Sequence, residues 1–189
     1  MPRPPRISIA NGIYHVTARG NRLQPIYLDD EDDRLFLGLL DKVAARHEWH
    51  CLSFCLMTNH YHLALRTPNA NLSIGMQWLN GEYARWFNER RGFKGHVFEK
   101  RFGGVLVETD AHLLEVFRYL ALNPVRAGLC AEPHEWRWSS YKAMLGARRE
   151  LACLAVDEAL GYFGPEAERA RTAFERLVED GLHLATLAA

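Results

Sequence analysis

The sequence has few cysteines, no long apolar run and no excess of charge of either sign. Its 189 residues include four cysteines, and 23 basic residues balance 23 acidic ones. No apolar stretch approaches the roughly 20 residues that a membrane-spanning helix needs. The amino-terminal segment also lacks the apolar core of a secretory signal. We therefore expect a cytoplasmic protein with no membrane partner, long enough for one main domain.

The cysteines do not form a metal-binding pattern. Cys51 and Cys55 lie in a strand-like run, and Cys130 and Cys153 are isolated. Zinc sites use tighter and repeated spacings. We interpret all four as reduced thiols that contribute to packing.

The neutral total conceals an uneven distribution of charge. Residues 1–28 contain four arginines and no acidic residue, and basic residues also predominate in 85–104 and 111–149. The balancing acids cluster in residues 29–33 and in the tail after Glu150. This asymmetry permits a polyanion-binding face with an acidic back, although a merely mixed surface is the alternative.

Hydrophobic periodicity predicts the order strand, helix, strand, strand, helix, strand, followed by an additional helix. The predicted strands are 12–20, 49–58, 60–66 and 95–109, the last bent or paired at its two central glycines. The predicted helices are 34–47, 71–92 and 110–122. The third helix should end before Pro124, because the residue before a proline avoids the helical region.

This order predicts an α+β protein with a ferredoxin-like βαββαβ core and an antiparallel sheet. The first and third strands should lie at the centre of that sheet, with both core helices on one face. Residues 1–146 would form the catalytic domain, including the added third helix. Residues 147–189 would form a helical tail packed on or appended to it.

Two histidines stand within the third predicted strand. His60 and His62 are two residues apart, so both side chains project from the same face. The pair suits a metal ion, although an isolated pair of this kind is more often structural. His15, on the first strand, should lie nearby; it is more often a sheet histidine than a ligand, and is worth testing.

A tyrosine and an asparagine are paired on the third predicted helix. Tyr119 and Asn123 are four residues apart and therefore lie one turn from each other on one face. This spacing places a phenol that can act as a nucleophile next to an amide oxygen that can bind a hard cation. The alternatives are a core aromatic for Tyr119 and a helix-ending amide for Asn123.

Together these residues resemble the HUH-endonuclease superfamily and, more closely, the REP-associated tyrosine transposases. The resemblance runs from about residue 2 to about residue 146. The matching segments are GIYHVTARGN, LMTNHYHL, GMQWLNGEYARWFNERRG, GHVFEKRF, YLALNPVRAGL and WSSYKAMLG. Two positions depart from the family pattern, Thr58 where proline is frequent and Ala121 where histidine is frequent.

The resemblance implies a set of functional residues. Tyr119 would be the nucleophile, and His60 and His62 would hold Mg²⁺ or Mn²⁺. Asn123 would be the third ligand, where the insertion-sequence relatives use glutamine. We further expect five basic residues to contact DNA, namely Arg19, Arg22, Lys100, Arg101 and Arg126.

The implied function is a metal-dependent, single-strand-specific DNA endonuclease and strand transferase. It would act at REP-type hairpins through a covalent 5′-phosphotyrosine and would work as a monomer, with a dimer left open. One alternative is a catalytically silent protein that binds DNA hairpins. Another is a metal-dependent RNA-processing or hydrolytic enzyme that uses water in place of the tyrosine.

Overall fold

The computed structural model describes residues 9–147 and 151–187. In these ranges the strands are β1 (Gly12–Arg19), β2 (His50–Leu56), β3 (His60–Thr67) and β4 (Gly103–Val107). The helices are α1 (Asp30–His47), α2 (Leu72–Arg91), α3 (Asp110–Arg126), α4 (Tyr141–Met144), α5 (Val156–Gly161) and α6 (Ala167–Leu187). None of the helices in the described part of the chain is both long enough and apolar enough to cross a membrane.

The four strands form one antiparallel sheet in the order β2-β3-β1-β4. This confirms the predicted ferredoxin-like pattern, with the first and third strands at the centre. β1 and β3 pair along their whole length, from Gly12 opposite Thr67 to Arg19 opposite His60. Because side chains alternate between faces, odd-numbered residues of β1 share a face with even-numbered residues of β3.

Helices α1 and α2 cover one face of the sheet and form the main core. Tyr61 projects from β3 into this core, where its ring lies 4.7 Å from that of Phe36 between centroids. Its hydroxyl donates to Asn80 Oδ1 of α2 at 2.7 Å. Tyr61 separates His60 from His62 in sequence, so the two histidines project from the opposite face, which α3 covers.

The acidic residues at the start of α1 interact with other parts of the same chain. The Asp29 side chain caps α1 by accepting from the backbone N–H groups of Glu31 and Asp32. Arg90 and Arg91, at the end of α2, form ion pairs with Asp29 and Asp32. This cluster fastens α2 to α1, and it removes two arginines from the cations available to a polyanion.

The prediction of a strand over 95–109 is correct only for its last part. Residues 103–107 form β4, whereas the preceding residues form an arm with one isolated bridge, between Gly20 and Phe98. Gly103 permits the close approach of β4 to β1, since a Cβ there would lie 2.9 Å from Thr17 Oγ1. A second strand paired at the glycines, as the pattern allowed, does not form.

The predicted end of the third helix is wrong. α3 continues through Pro124 to Arg126, and the N–H of Ala127 donates to the Asn123 carbonyl at 3.0 Å. A proline inside a helix costs about 3 kcal/mol, because it lacks an N–H and crowds the preceding turn. The whole turn from Leu120 to Pro124 is buried, and this packing offsets the local cost.

The segment after residue 151 packs on the sheet and on α3. The Cys51 N–H donates to the Cys153 carbonyl at 3.0 Å, and the Ala155 N–H donates to the Cys51 carbonyl at 2.8 Å. α6 approaches α3 so closely that a Cβ at Gly181 would lie 2.6 Å from Leu122 Cδ1. All four cysteines are free, as expected. The predicted domain boundary at residue 146 stays a prediction.

Candidate active site

Three imidazoles lie together on the α3 face of the sheet. In the β1–β3 register Arg19 faces His60 and Thr17 faces His62, which places His15 diagonally next to His62. His15 Nε2 and His62 Nδ1 are 3.0 Å apart and share a hydrogen bond. The ring centroids of His60 and His62 are 5.0 Å apart, with the rings nearly perpendicular.

Tyr119 lies over two of these rings, those of His62 and His15. The ring centroid of Tyr119 is 5.1 Å from that of His62 and 5.8 Å from that of His15, both in edge-to-face geometry. The residue is 39% exposed although it lies in a helix whose other face is buried. The phenol is therefore open to an incoming substrate and adjacent to the histidines.

Burial keeps the three imidazoles neutral near pH 7. It lowers the pKa of His62 to about 3, and the neighbouring His15, His60 and Arg19 add to the effect. Burial lowers the pKa of His15 to about 4, with His112 contributing, and that of His60 to about 4, with Arg19 contributing. Neutral imidazoles carry nitrogen lone pairs, which is the form that binds metal ions.

The turn between β2 and β3 determines which nitrogen of His60 carries the hydrogen. Asn59 Nδ2 donates to the Leu23 carbonyl at 2.9 Å, so Asn59 Oδ1 faces His60. That oxygen can only accept, so the His60 Nδ1–H donates to it at 2.7 Å and Nε2 keeps its lone pair. Metal-binding histidines typically have such a second hydrogen bond. Sequence reasoning missed Asn59, although its place beside His60 in a tight turn was a usable signal.

Two buried polar atoms lack a hydrogen-bond partner, His62 Nε2 on β3 and Asn123 Nδ2, which lies one helical turn after Tyr119 on α3. Rotating the Asn123 amide by half a turn would place its oxygen where the unpaired nitrogen stands. Within the described ranges no three His, Cys, Asp or Glu side chains are placed to hold a metal ion together. A metal here would need His60, His62 and the Asn123 amide, completed by substrate or water oxygens.

That set of donors fits Mn²⁺. Mn²⁺ accepts both imidazole nitrogen and amide oxygen, whereas Mg²⁺ prefers oxygen ligands and retains several waters. The unpaired nitrogen of His62 and the free lone pair of His60 are the atoms that such an ion would satisfy. The residues present therefore fit a divalent ion, with the manganese ion fitting better than magnesium.

An open recess of about 340 Å³ lies beside Tyr119. Its walls include His15, His112, Glu115, Arg118 and Arg126. Arg118 pairs with Glu115, so Arg126 is the cation left to meet a phosphate here. His112 was not among the predicted site residues, although it precedes Tyr119 by two helical turns and so lies on the same face.

The five cations predicted to contact DNA are exposed: Arg19, Arg22, Lys100, Arg101 and Arg126. Among the residues that the structure describes, none of them pairs with a carboxylate, whereas most other arginines do. The Glu99 N–H donates to the Arg19 carbonyl at 2.9 Å, which brings Lys100 and Arg101 to the end of β1 opposite His60.

Comparison with known protein families identifies the class of this protein, which is that of the transposases. A model of the IS200-like transposase family matches residues 8–123, more than half of the chain. The chain belongs to this family. The matched range includes both histidines, Tyr119 and Asn123.

Two known proteins are similar over most of the chain. A protein of Haemophilus influenzae named as a REP-associated tyrosine transposase is 21% identical over 141 residues, which are 69% of this chain and 80% of the relative. A solved structure of a REP-associated tyrosine transposase bound to a REP hairpin superposes with a TM-score of 0.61 at 19% identity. The superposition covers 78% of this chain and 87% of that one, and it supports the same fold.

Proposed function

We propose that this protein is a metal-dependent single-stranded DNA endonuclease and strand transferase that acts at REP-type hairpins. The observation that supports it most is the position of Tyr119, exposed and 5.1 Å between ring centroids from His62. A tyrosine that only filled the core would be sealed from substrate. The Tyr119 ring lies beside the rings of His62 and His15, and Tyr119 and His15 both line the open recess, which supports the proposed role.

The proposed reaction exchanges one phosphodiester for another. Tyr119 Oη attacks the phosphorus of a DNA strand bound beside the open recess, and the phenol proton passes to solvent there. The bond from phosphorus to the 3′-oxygen breaks, and the upstream strand leaves as a 3′-hydroxyl after taking a proton from solvent. The downstream strand stays on the enzyme as a 5′-phosphotyrosine. A later 3′-hydroxyl can reverse the attack and join a new strand.

His60 and His62 would hold the divalent ion, Mg²⁺ or Mn²⁺, with Asn123 as a third ligand. When bound, the ion withdraws charge from the scissile phosphate and orients it for in-line attack. The chain prepares the ligands by keeping the imidazoles neutral and by binding the His60 Nδ1–H to Asn59. Without these contacts the rings could turn away from the phosphate.

The unpaired cations support a nucleic-acid substrate. Phosphates would meet Arg19, Arg22, Lys100 and Arg101 near His60, and Arg126 beside Tyr119. The choice of a hairpin rests on the two similar proteins, one of them bound to a REP hairpin. The histidines and Tyr119 come from one chain, so we propose a monomer as the active unit. Light scattering on the DNA complex should give the mass of one protein chain.

The test is a covalent adduct with a defined polarity. The protein is incubated with Mn²⁺ and a REP-type hairpin oligonucleotide carrying a label at its 3′ or 5′ end, then denatured and separated on a gel. A 5′-phosphotyrosine holds the downstream strand, so the 3′ label should move with the protein and the 5′ label should leave on the freed fragment. Tyr119→Phe should give no adduct, whereas Tyr162→Phe, at a half-buried tyrosine after α5 that does not line the recess, should give the wild-type amount.

The other outcomes identify the competing functions. Binding of the hairpin without cleavage would support a silent DNA-binding protein. Cleavage that survives Tyr119→Phe would support a water-using nuclease, and cleavage of an RNA hairpin in preference to DNA would support RNA processing. Each of these results would overturn the proposed strand transfer.

A further inference from the structure

Both metal-facing histidines have their Nδ1 atom in a hydrogen bond, but the partners differ in kind. His60 Nδ1 meets the amide oxygen of Asn59, which can only accept. His62 Nδ1 meets the Nε2 atom of His15 at 3.0 Å, and an imidazole nitrogen can either donate or accept. The position of one hydrogen therefore decides what His62 presents to the site.

The surroundings favour a hydrogen on His62 Nδ1, donated to His15, over a hydrogen on His15 Nε2, donated to His62. His62 Nε2 is buried and has no partner, so a hydrogen there would be a buried donor with nothing to receive it. His15 lines the open recess, and none of its atoms is among the buried unpaired ones. Its Nδ1–H can therefore be hydrated, which frees its Nε2 to accept.

We propose that His15 is a positioning residue: its Nε2 accepts a hydrogen bond from His62 Nδ1–H and fixes the lone pair of His62 on Nε2, facing the metal site. This inference rests on the proposed metal-dependent function. In this arrangement His15 does for His62 what Asn59 does for His60. Two different side chains hold the two ligands in the same tautomer.

The His15 ring also limits how His62 can turn. It lies 5.2 Å from the His62 ring and 5.8 Å from the Tyr119 ring, measured between centroids. The hydrogen bond and the ring contacts both come from His15 on β1, the strand that neighbours His62. Loss of the imidazole would therefore free His62 both to rotate and to change tautomer.

The first test measures the binding of Mn²⁺ alone by calorimetry. His15→Leu removes the acceptor, and the affinity should fall about 10- to 100-fold, the usual effect of losing a second hydrogen bond to a ligand histidine. His15→Gln offers an amide oxygen at similar reach and should recover most of the affinity. His134→Gln, at an exposed histidine that does not line the recess, is the matched control and should bind as the wild type does.

The second test reads the tautomer directly in the metal-free protein. Long-range ¹⁵N–¹H correlation spectra distinguish a protonated ring nitrogen from one with a lone pair. The wild type should show His62 with hydrogen on Nδ1 and a lone pair on Nε2. A wild-type spectrum with hydrogen on His62 Nε2 would overturn the inference, and this readout does not depend on a variant that folds.

The two measurements separate this inference from the proposed function. If the wild type binds Mn²⁺ and His15→Leu binds it equally well, His15 does not position the ligand, whereas the metal site stands. If the wild type binds no Mn²⁺, the metal-dependent function fails, and the spectrum still decides the direction of the His15–His62 bond. Weakened binding in His15→Gln as severe as in His15→Leu would also contradict the inference.

Discussion

Acid should destabilise this protein through His62, because the folded state resists protonation there. The pKa of His62 is about 3 in the folded protein, against 6.5 for an ordinary histidine, and the cause is first of all burial. Between these two values the unfolded chain takes up a proton that the folded chain does not. The free energy of unfolding therefore falls as the pH falls through this window, and the stabilisation is fully present above it.

The size of the effect follows from the shift. A single group contributes about 1.4 kcal/mol for each pH unit below its unfolded pKa, which amounts to about 2 kcal/mol at pH 5. His62→Gln removes this group while leaving an amide that can still bond to His15. Between pH 7 and pH 5 the free energy of unfolding of the wild type should fall by about 2 kcal/mol more than that of the variant.

Urea unfolding followed by tryptophan fluorescence measures this difference. Denaturation curves at pH 7, 6 and 5 give the free energy of unfolding, provided that the slope with urea stays the same between proteins. His134→Gln, at an exposed position, should follow the wild-type profile. Parallel pH profiles for the wild type and His62→Gln would refute the claim that the site holds a buried neutral imidazole.

Three further predictions test other parts of the structure. Asn59→Ala should weaken Mn²⁺ binding about tenfold or more in calorimetry, because His60 loses the acceptor of its Nδ1–H; equal affinity would contradict this. Gly181→Val should lower the free energy of unfolding by about 1–3 kcal/mol through overpacking against α3, whereas Gly161→Ala, with open space around it, should not. Arg126→Ala should weaken hairpin binding and reduce its salt dependence by about one phosphate contact, and an unchanged slope would place Arg126 away from the DNA.

The parts of the site that depend on one element could be predicted from the sequence. The two-residue period of a strand places His60 and His62 on one face, and helical spacing places Tyr119 and Asn123 on one face. The order of elements also gave the ferredoxin-like sheet, because that topology leaves little choice for the central strands. These inferences need only the regular spacing of side chains along a strand or a helix and the order of the elements.

The parts that depend on contacts between elements could not be predicted. The His15–His62 bond requires the register of β1 on β3, which no local pattern specifies. The end of α3 was misjudged because the local preference against a helical residue before Pro124 is outweighed by burial of that turn. The ion pairs of Arg90 and Arg91 with Asp32 also join two elements, so the sequence did not predict that these arginines are unavailable to DNA.

The central claim is that a phosphate can reach the phenol of Tyr119 while the sheet histidines hold a metal beside it. Mass spectrometry of the protein digested after reaction with Mn²⁺ and a REP-type hairpin tests it most directly. The account predicts one peptide, the one containing Tyr119, that carries a 5′-linked nucleotide, and no such peptide when His60 and His62 are both replaced by alanine. A nucleotide on any other residue, or none at all under conditions in which the hairpin is cut, would contradict it.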